Sequence, residues 1–207
     1  EDHHALAYDA FIENYRQEYL REQMIKKQRR QAMQESIVNL EQYTLEPNKM
    51  QVAFVKNVMK MREEGIDKAL LLSSTGTGKS FASAFAVREM QPRRVLFLVH
   101  REQIAKQALK SYRRVFGSAR SYGLLSGNAR EMNAEFVFST MQMMAKSEIY
   151  EQYEKDAFDV IILDECHHAG SESYQRIMSY FTPGFWLGMT ASPDTNNYDV
   201  YSIFDHH

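Results

Sequence analysis

The segment that most restricts how this chain can fold is Leu70-Leu71-Leu72-Ser73-Ser74-Thr75-Gly76-Thr77-Gly78-Lys79-Ser80, an apolar run that breaks into a small turn and ends in Gly-Lys-Ser. The continuously apolar Ala69 to Leu72 suits a parallel strand buried on both faces, and Phe81, Ala82, Ala84, Phe85, Ala86 and Val87 suit a well-packed helix. A turn between such a strand and helix has the context of a phosphate-binding loop. Gly76 and Gly78 lack Cβ and let backbone N–H groups approach a polyphosphate, which also gains from the positive end of the following helix. Lys79 is then expected to reach the β/γ-phosphates and the Ser80 hydroxyl to take one position on Mg²⁺. Ser73 stands where the general pattern G-x-x-x-x-G-K-[ST] has its first glycine.

At 207 residues, 44% of them hydrophobic, the chain has enough material for one α/β domain plus an appendage. A net charge of −2 excludes a strongly basic nucleic-acid module and leaves room for a local basic groove. The single cysteine, Cys166, cannot form an intrachain disulfide, and no signal peptide or long apolar span is present, so a cytoplasmic, non-membrane protein is expected.

Residues 1–44 form a helical extension or connector in this reading, rich in Gln, Glu, Arg and Tyr, with no Gly or Pro. Phe11, Ile12, Tyr15 and Tyr19 give one apolar stripe, and Met33, Ile37 and Leu40 a second. The basic run Lys26 to Arg30 reads as a solvated helix face. The core domain is placed at 45–205, and His206-His207 resemble a tag remnant.

Pro47 punctuates the chain before a helix that runs to about Glu64, with Val52, Val55, Val58 and Met59 on one face. Gln51 near its start has an amide able to read an adenine edge, and equally suits a surface position. After the loop helix, strands are expected at Val95–Val99, Tyr122–Leu125, Phe136–Phe138, Val160–Leu163 and Phe185–Met189. Helices fall at about Glu102–Phe116 and Tyr174–Tyr180, with a polar helical stretch up to about Asp156. The alternation means a mostly parallel sheet with helices on both faces.

In such a sheet, ligands sit beyond the carboxyl ends of the strands. His100-Arg101, Ser139-Thr140, Asp164-Glu165-Cys166-His167 and Thr190-Ala191-Ser192 all follow strands there. Asp164 at a strand tip suits a Mg²⁺ ligand, and Glu165 a base that orients and deprotonates water. A zinc site from Cys166, His167 and His168 is disfavoured, because no second Cys or matching His pair exists. A Cys166–His167 nucleophile is disfavoured because immediate neighbours on an extended segment point apart.

Together these segments resemble the first RecA-like domain of a superfamily 2 helicase or translocase of the DExH group, a P-loop NTPase fold. Thr75 to Ser80 is similar to the ATP-binding motif I, where Ser73 in the first position is ordinary. Val99 to Gln107 resembles motif Ia, and Ser139-Thr140-Met141-Gln142 the later nucleic-acid-contacting motif. Asp164-Glu165-Cys166-His167 resembles motif II in a DECH form, and Thr190-Ala191-Ser192 motif III. The wording of Ia and of Thr190 to Pro193 is similar to the type III restriction-like branch, which includes restriction-enzyme motor subunits and related bacterial DNA helicases.

The resemblance implies an ATP hydrolase using ATP and Mg²⁺, with nucleotide contacts from Gln51, Thr75, Gly76, Thr77, Gly78, Lys79 and Ser80. Ser80 and Asp164 would hold the metal, while Lys79, Asp164 and Glu165 carry catalysis. Coupling falls to His167, Thr190 and Ser192, and nucleic-acid contact, DNA sooner than RNA, to Arg101 and Thr140. It also implies a second RecA-like domain of the same parent chain, completing the site, without which turnover nearly vanishes. The competing expectation is a nucleotide-regulated binding module that does not translocate. Glu165 favours the motor, since a module that only binds needs no base.

Overall fold

The structure is a computed structural model, and it describes residues 17, 19–31, 45–73, 76–165, 172–191 and 199–202. Two units divide at Leu45/Glu46. In the first, residues 19–31 form helix α1, on which Tyr19, Leu20, Met24 and the basic run Lys26 to Arg30 are exposed. Phe11, Ile12, Tyr15, Met33, Ile37 and Leu40 lie outside the described residues.

The second unit is built on an eight-stranded sheet. In chain order it contains α2 (Lys49–Glu63), β1 (Lys68–Ser73), α3 (Gly76–Met90), β2 (Val95–Val99), α4 (Glu102–Phe116) and β3 (Tyr122–Ser126). Then follow β4 (Ala129–Arg130), β5 (Phe136–Thr140), α5 (Met141–Met144), α6 (Ser147–Tyr150), β6 (Val160–Leu163), α7 (Glu172–Tyr180), β7 (Phe185–Ala191) and β8 (Asp199–Ser202). The sheet order is β4-β3-β5-β2-β6-β7-β1-β8. The six inner strands pair in parallel, and β4 and β8 close the two edges antiparallel. This mostly parallel sheet with helices on both sides is the RecA-like P-loop NTPase architecture that the sequence implies.

Alternation along each strand sorts side chains into two cores. Leu96, Leu98, Val137, Ile161, Leu163 and Trp186 pack with Met141, Met144, Tyr174, Ile177 and Phe181 on one face. On the other, Phe97 and Phe138 lie 5.7 and 5.2 Å from the Tyr112 ring, and Phe116 sits edge-on to Phe136 at 4.9 Å. Such ring pairs add roughly 0.5–1.5 kcal/mol each beyond their burial. Helix α4 supplies Ala105, Ala108, Ser111 and Tyr112 to this core at three- and four-residue spacing. Helix α3 is buried over Ala82, Ser83, Ala84, Phe85, Ala86 and Val87, so its small residues let it lie close to its neighbours.

The stretch after β5 differs from the polar helix expected to Asp156. It forms two one-turn helices, because Lys146 is extended at φ −70°, ψ 128° and ends the first before the second begins. Met141, Met143, Met144, Ile149 and Tyr153 from this stretch are buried. Met141, Ala145, Ile149 and Tyr153 fall four residues apart, so the helical spacing persists although the helix itself is broken. Strands β4 and β8 are additions to the expected set, and β7 runs on through Ala191, beyond the expected end at Met189.

At the amino ends of the strands, Arg94 donates to the carbonyls of Met132 (2.9 Å) and Ala134 (3.0 Å) and lies over the rings of Tyr153 and Phe158. Tyr153 donates to the Met132 carbonyl at 2.8 Å. Burial pushes the Tyr153 phenol up to about 12, with Arg94 pulling the other way. These contacts tie the β4–β5 connection to the segment before β6.

Gly123 on β3 faces this connection closely. A Cβ there would lie 2.4 Å from the Glu131 carbonyl oxygen and 2.9 Å from the Ala134 Cβ. Backbone cannot yield as a flexible side chain does, so Gly123→Ala should destabilise the domain by about 1–3 kcal/mol. A urea-unfolding midpoint equal to that of the wild type would contradict this packing.

Candidate functional site

The carboxyl ends of the parallel strands form one edge, and the chemistry-bearing residues gather along it. Strand β1 leads into α3, whose first turn contains Gly76, Thr77 and Gly78, and Lys79 follows at 4% exposure. Thr75 lies outside the described residues. Lys79 Nζ lies 3.2 Å from Asp164 Oδ1, with both side chains almost out of water. The pair spans two strands, because β7 lies between β1 and β6.

Asp164 extends the β2–β6 pairing, its N–H donating to the Leu98 carbonyl at 2.9 Å. The Glu165 N–H donates to Asp164 Oδ1 at 3.0 Å, so this one oxygen also receives a backbone donor. Glu165 has φ +56°, a left-handed conformation that costs a non-glycine residue roughly 1–3 kcal/mol and is kept only where surroundings enforce it. The enforcing groups include Asp164 Oδ1 below the turn and the buried Tyr174, whose Oη donates to the Asp164 carbonyl at 2.9 Å and lies 3.4 Å from that of Glu165.

Ser80 is half-buried one residue beyond Lys79, and its carbonyl accepts from Ser83 Oγ at 2.7 Å. Ser83 Oγ lies 2.9 Å from Tyr112 Oη; with the Ser83 proton committed to Ser80, Tyr112 is the donor. The Ser80 hydroxyl and the Asp164 carboxylate are hard oxygen donors. They suit Mg²⁺, which keeps few protein ligands and fills its octahedron with phosphate and water. Among the described residues, no cluster of three or more His, Cys, Asp or Glu side chains could hold a metal.

Arg101 and Thr140 lie on the same edge, towards its other end. Val99 is in register with Thr140 on adjacent strands β2 and β5. Arg101 is exposed at the N-cap of α4, without a side-chain capping bond. Thr140 caps α5, its Oγ1 accepting from the Met143 N–H at 3.3 Å. Thr190 lies within β7, half-buried and in register with Leu72 of β1. His167 and Ser192 lie outside the described residues.

The family described as "Type III restriction enzyme, res subunit" (ResIII) matches residues 44–195. The chain belongs to the ResIII family. A type I restriction enzyme EcoAI endonuclease subunit from Escherichia coli is 26% identical over 159 residues, 71% of this chain and 19% of that protein. A putative mitochondrial ATP-dependent helicase irc3 from Schizosaccharomyces pombe is 30% identical over 124 residues, 58% of this chain and 20% of the other. The chain thus spans about a fifth of the length of these two curated relatives. Among solved structures, the UvsW helicase from bacteriophage T4 aligns with TM-score 0.55 and 22% identity over 70% of this chain and 52% of that one. A nuclease-deletion mutant of the type ISP restriction-modification enzyme LlaGI, in complex with a DNA substrate mimic, aligns with TM-score 0.57 and 19% identity, over 71% and 15%. These structural likenesses establish the fold.

Two features of this ResIII chain were hidden in the sequence. Gln51 is 7% exposed and closes a capping box with Asn48: its Oε1 accepts from the Asn48 N–H at 3.0 Å while Asn48 Oδ1 accepts from the Gln51 N–H at 2.8 Å. The Asn-x-x-Gln spacing at 48–51 was the available signal. The second feature is His100 Nε2, 3.2 Å from Tyr174 Oη and 74 residues away in sequence, a pairing that no local pattern announces.

Gln51→Ala deletes half of the capping box and should cost about 1 kcal/mol, within the range of lost caps. Urea unfolding without nucleotide checks this, and an unchanged midpoint would deny the cap its role.

Proposed function

We propose that this chain is the ATP-binding motor domain of a nucleic-acid-dependent ATPase, a cytoplasmic DNA helicase or translocase acting with a second RecA-like domain of the same parent chain. The observation that carries the reading is the buried Lys79–Asp164 pair at the carboxyl edge of the sheet, beside the N-terminus of α3, in a ResIII-family chain. Membership of the family implies use of ATP and Mg²⁺. The names of relatives, a restriction endonuclease subunit and ATP-dependent helicases, support action on nucleic acid, with the restriction relationship favouring DNA. Among the described residues, no helix is long and apolar enough to cross a membrane.

In this reading the first-turn N–H groups of α3, with Thr75 to Gly78 before and within it, cradle the phosphates. Lys79 neutralises β/γ-phosphate charge, and Gln51, its Oε1 held in the cap, presents Nε2 to the adenine edge. Ser80 and Asp164 hold Mg²⁺, which when bound offsets charge on the phosphoryl oxygens. Glu165 takes a proton from the attacking water. Thr190, Ser192 and His167 relay nucleotide state towards the second domain, which supplies the arginine that completes the site. Arg101 and Thr140 contact the sugar-phosphate chain, so binding should be salt-dependent and indifferent to base sequence.

Lys79→Ala removes charge-assisted contacts worth about 1.5–3 kcal/mol and should weaken ATP–Mg²⁺ binding by roughly 10- to 150-fold in titration calorimetry. Unchanged affinity would sink the assignment of the loop. Glu165→Gln keeps size and removes the base; ATP should still bind, while steady-state hydrolysis in the full-length protein falls about 10²- to 10⁴-fold. Hydrolysis at the wild-type rate would take the catalytic role away from Glu165.

A further inference from the structure

The peptide joining Asp164 to Glu165 is gripped at both ends. Its N–H donates to Asp164 Oδ1, the oxygen that Lys79 also holds, and its carbonyl accepts from Tyr174 Oη at 2.9 Å. Turning this peptide plane would break both bonds at once. Its orientation sets the left-handed φ of Glu165, and with it the direction in which the Glu165 Cα–Cβ bond leaves the backbone.

Tyr174 has one hydroxyl proton, and the Asp164 carbonyl takes it. The contact of 3.2 Å to His100 Nε2 therefore has the histidine as donor, its Nε2–H directed at the phenol oxygen. The rings lie 5.7 Å apart at 52°, Tyr174 is fully buried, and His100 is half-buried at the end of β2. His100 is the residue immediately before Arg101, which stands exposed at the start of α4. One phenol thus connects the strand end that leads to the candidate nucleic-acid contact with the turn that carries both acids.

We propose that Tyr174 is a positioning residue: through His100 it makes the orientation of the Asp164–Glu165 peptide depend on a phosphodiester strand bound at Arg101. The proposal rests on the motor reading above. A strand pulling on Arg101 shifts the end of β2, His100 moves with it, and the hydrogen bond into Tyr174 tightens or loosens the grip on the Asp164 carbonyl. Tyr174 touches neither nucleotide nor nucleic acid in this scheme. It acts only through the Asp164–Glu165 peptide that it holds.

The test uses the full-length protein that contains this chain, with steady-state ATP hydrolysis measured with and without single-stranded oligodeoxythymidine. Tyr174→Phe keeps the ring and removes the hydroxyl. The KM for ATP should stay within about twofold of wild type, while the ratio of stimulated to unstimulated kcat falls about tenfold, a usual size for coupling between sites. His100→Ala should do the same, and His100→Gln should restore most of the stimulation, because its amide can donate from near the imidazole Nε2 position. The histidine pair keeps the test informative even if the buried phenylalanine variant folds poorly. Stimulation intact in Tyr174→Phe, equal loss of stimulated and unstimulated rates, or Gln performing no better than Ala would each overturn the proposal. A wild-type protein whose hydrolysis ignores the oligonucleotide would overturn the motor reading as well.

Discussion

A lysine and an aspartate that have both left water can persist only if they find each other. Lys79 and Asp164 do so at 3.2 Å, and the rest of the domain is arranged to make that distance possible. Removing either partner would strand a buried charge, a change that ordinarily costs about 3–5 kcal/mol. The pair is not simply a stabilising contact, since an apolar substitute of equal volume often serves a fold as well. Its retention at the mouth of a helix N-terminus makes sense where a third charged group is expected. In the proposed motor reading, a polyphosphate entering there would compete with Asp164 for the ammonium, and the aspartate released by that exchange would be free to accept a cation. The pair keeps both groups in place and desolvated, as that reading requires.

The sheet supplies the rigidity this requires. Strand order sets β7 between β1 and β6, so the segments that carry Lys79 and Asp164 follow strands held two hydrogen-bonded separations apart. Each face is then filled differently. The aromatic cluster around Tyr112 is stiff and directional, whereas the opposite core draws on Met141, Met143 and Met144, whose unbranched side chains fill irregular space beneath short helices. The more adaptable packing lies on the face that also holds Tyr174 and α7.

What could be read from sequence was what is local. The apolar runs at 95–99 and 160–163 announce buried parallel strands, and the polar residues that follow them fall at the carboxyl edge because every inner strand points the same way. His100, Arg101, Thr140, Asp164 and Glu165 were placed on that edge by this rule alone. The rule fails where structure depends on partners distant in sequence. Nothing around Gln51 told that its amide would be spent on a cap inside a buried helix face, although Asn48 three residues earlier was a fair hint. The stretch after β5 keeps a four-residue spacing of buried side chains at Met141, Ala145, Ile149 and Tyr153, and nothing in the sequence marks the break that Lys146 makes in it. The left-handed Glu165 was also out of reach, because a non-glycine residue gives no sign in sequence of the hydrogen bonds that will hold it at positive φ.

The same reasoning explains why hydroxyl groups recur at the joints of this edge. A carboxylate or ammonium at such a joint would add charge to a site already balanced between Lys79 and Asp164, and an apolar side chain could not hold a backbone carbonyl in place. A buried phenol does neither harm. Burial holds the Tyr112 hydroxyl well above its ordinary value, so it stays protonated and donates steadily to Ser83, which in turn fixes the Ser80 carbonyl. Tyr174 acts in the same way on the Asp164 carbonyl. Tyr112 comes from α4, which begins just after Arg101, and Tyr174 is joined to His100 just before it. Hydrogen bonds through Tyr112 and Tyr174 therefore finish on the two backbone segments that carry Ser80 and Asp164. Both phenols are fully buried, and neither adds a charge beside Lys79 and Asp164.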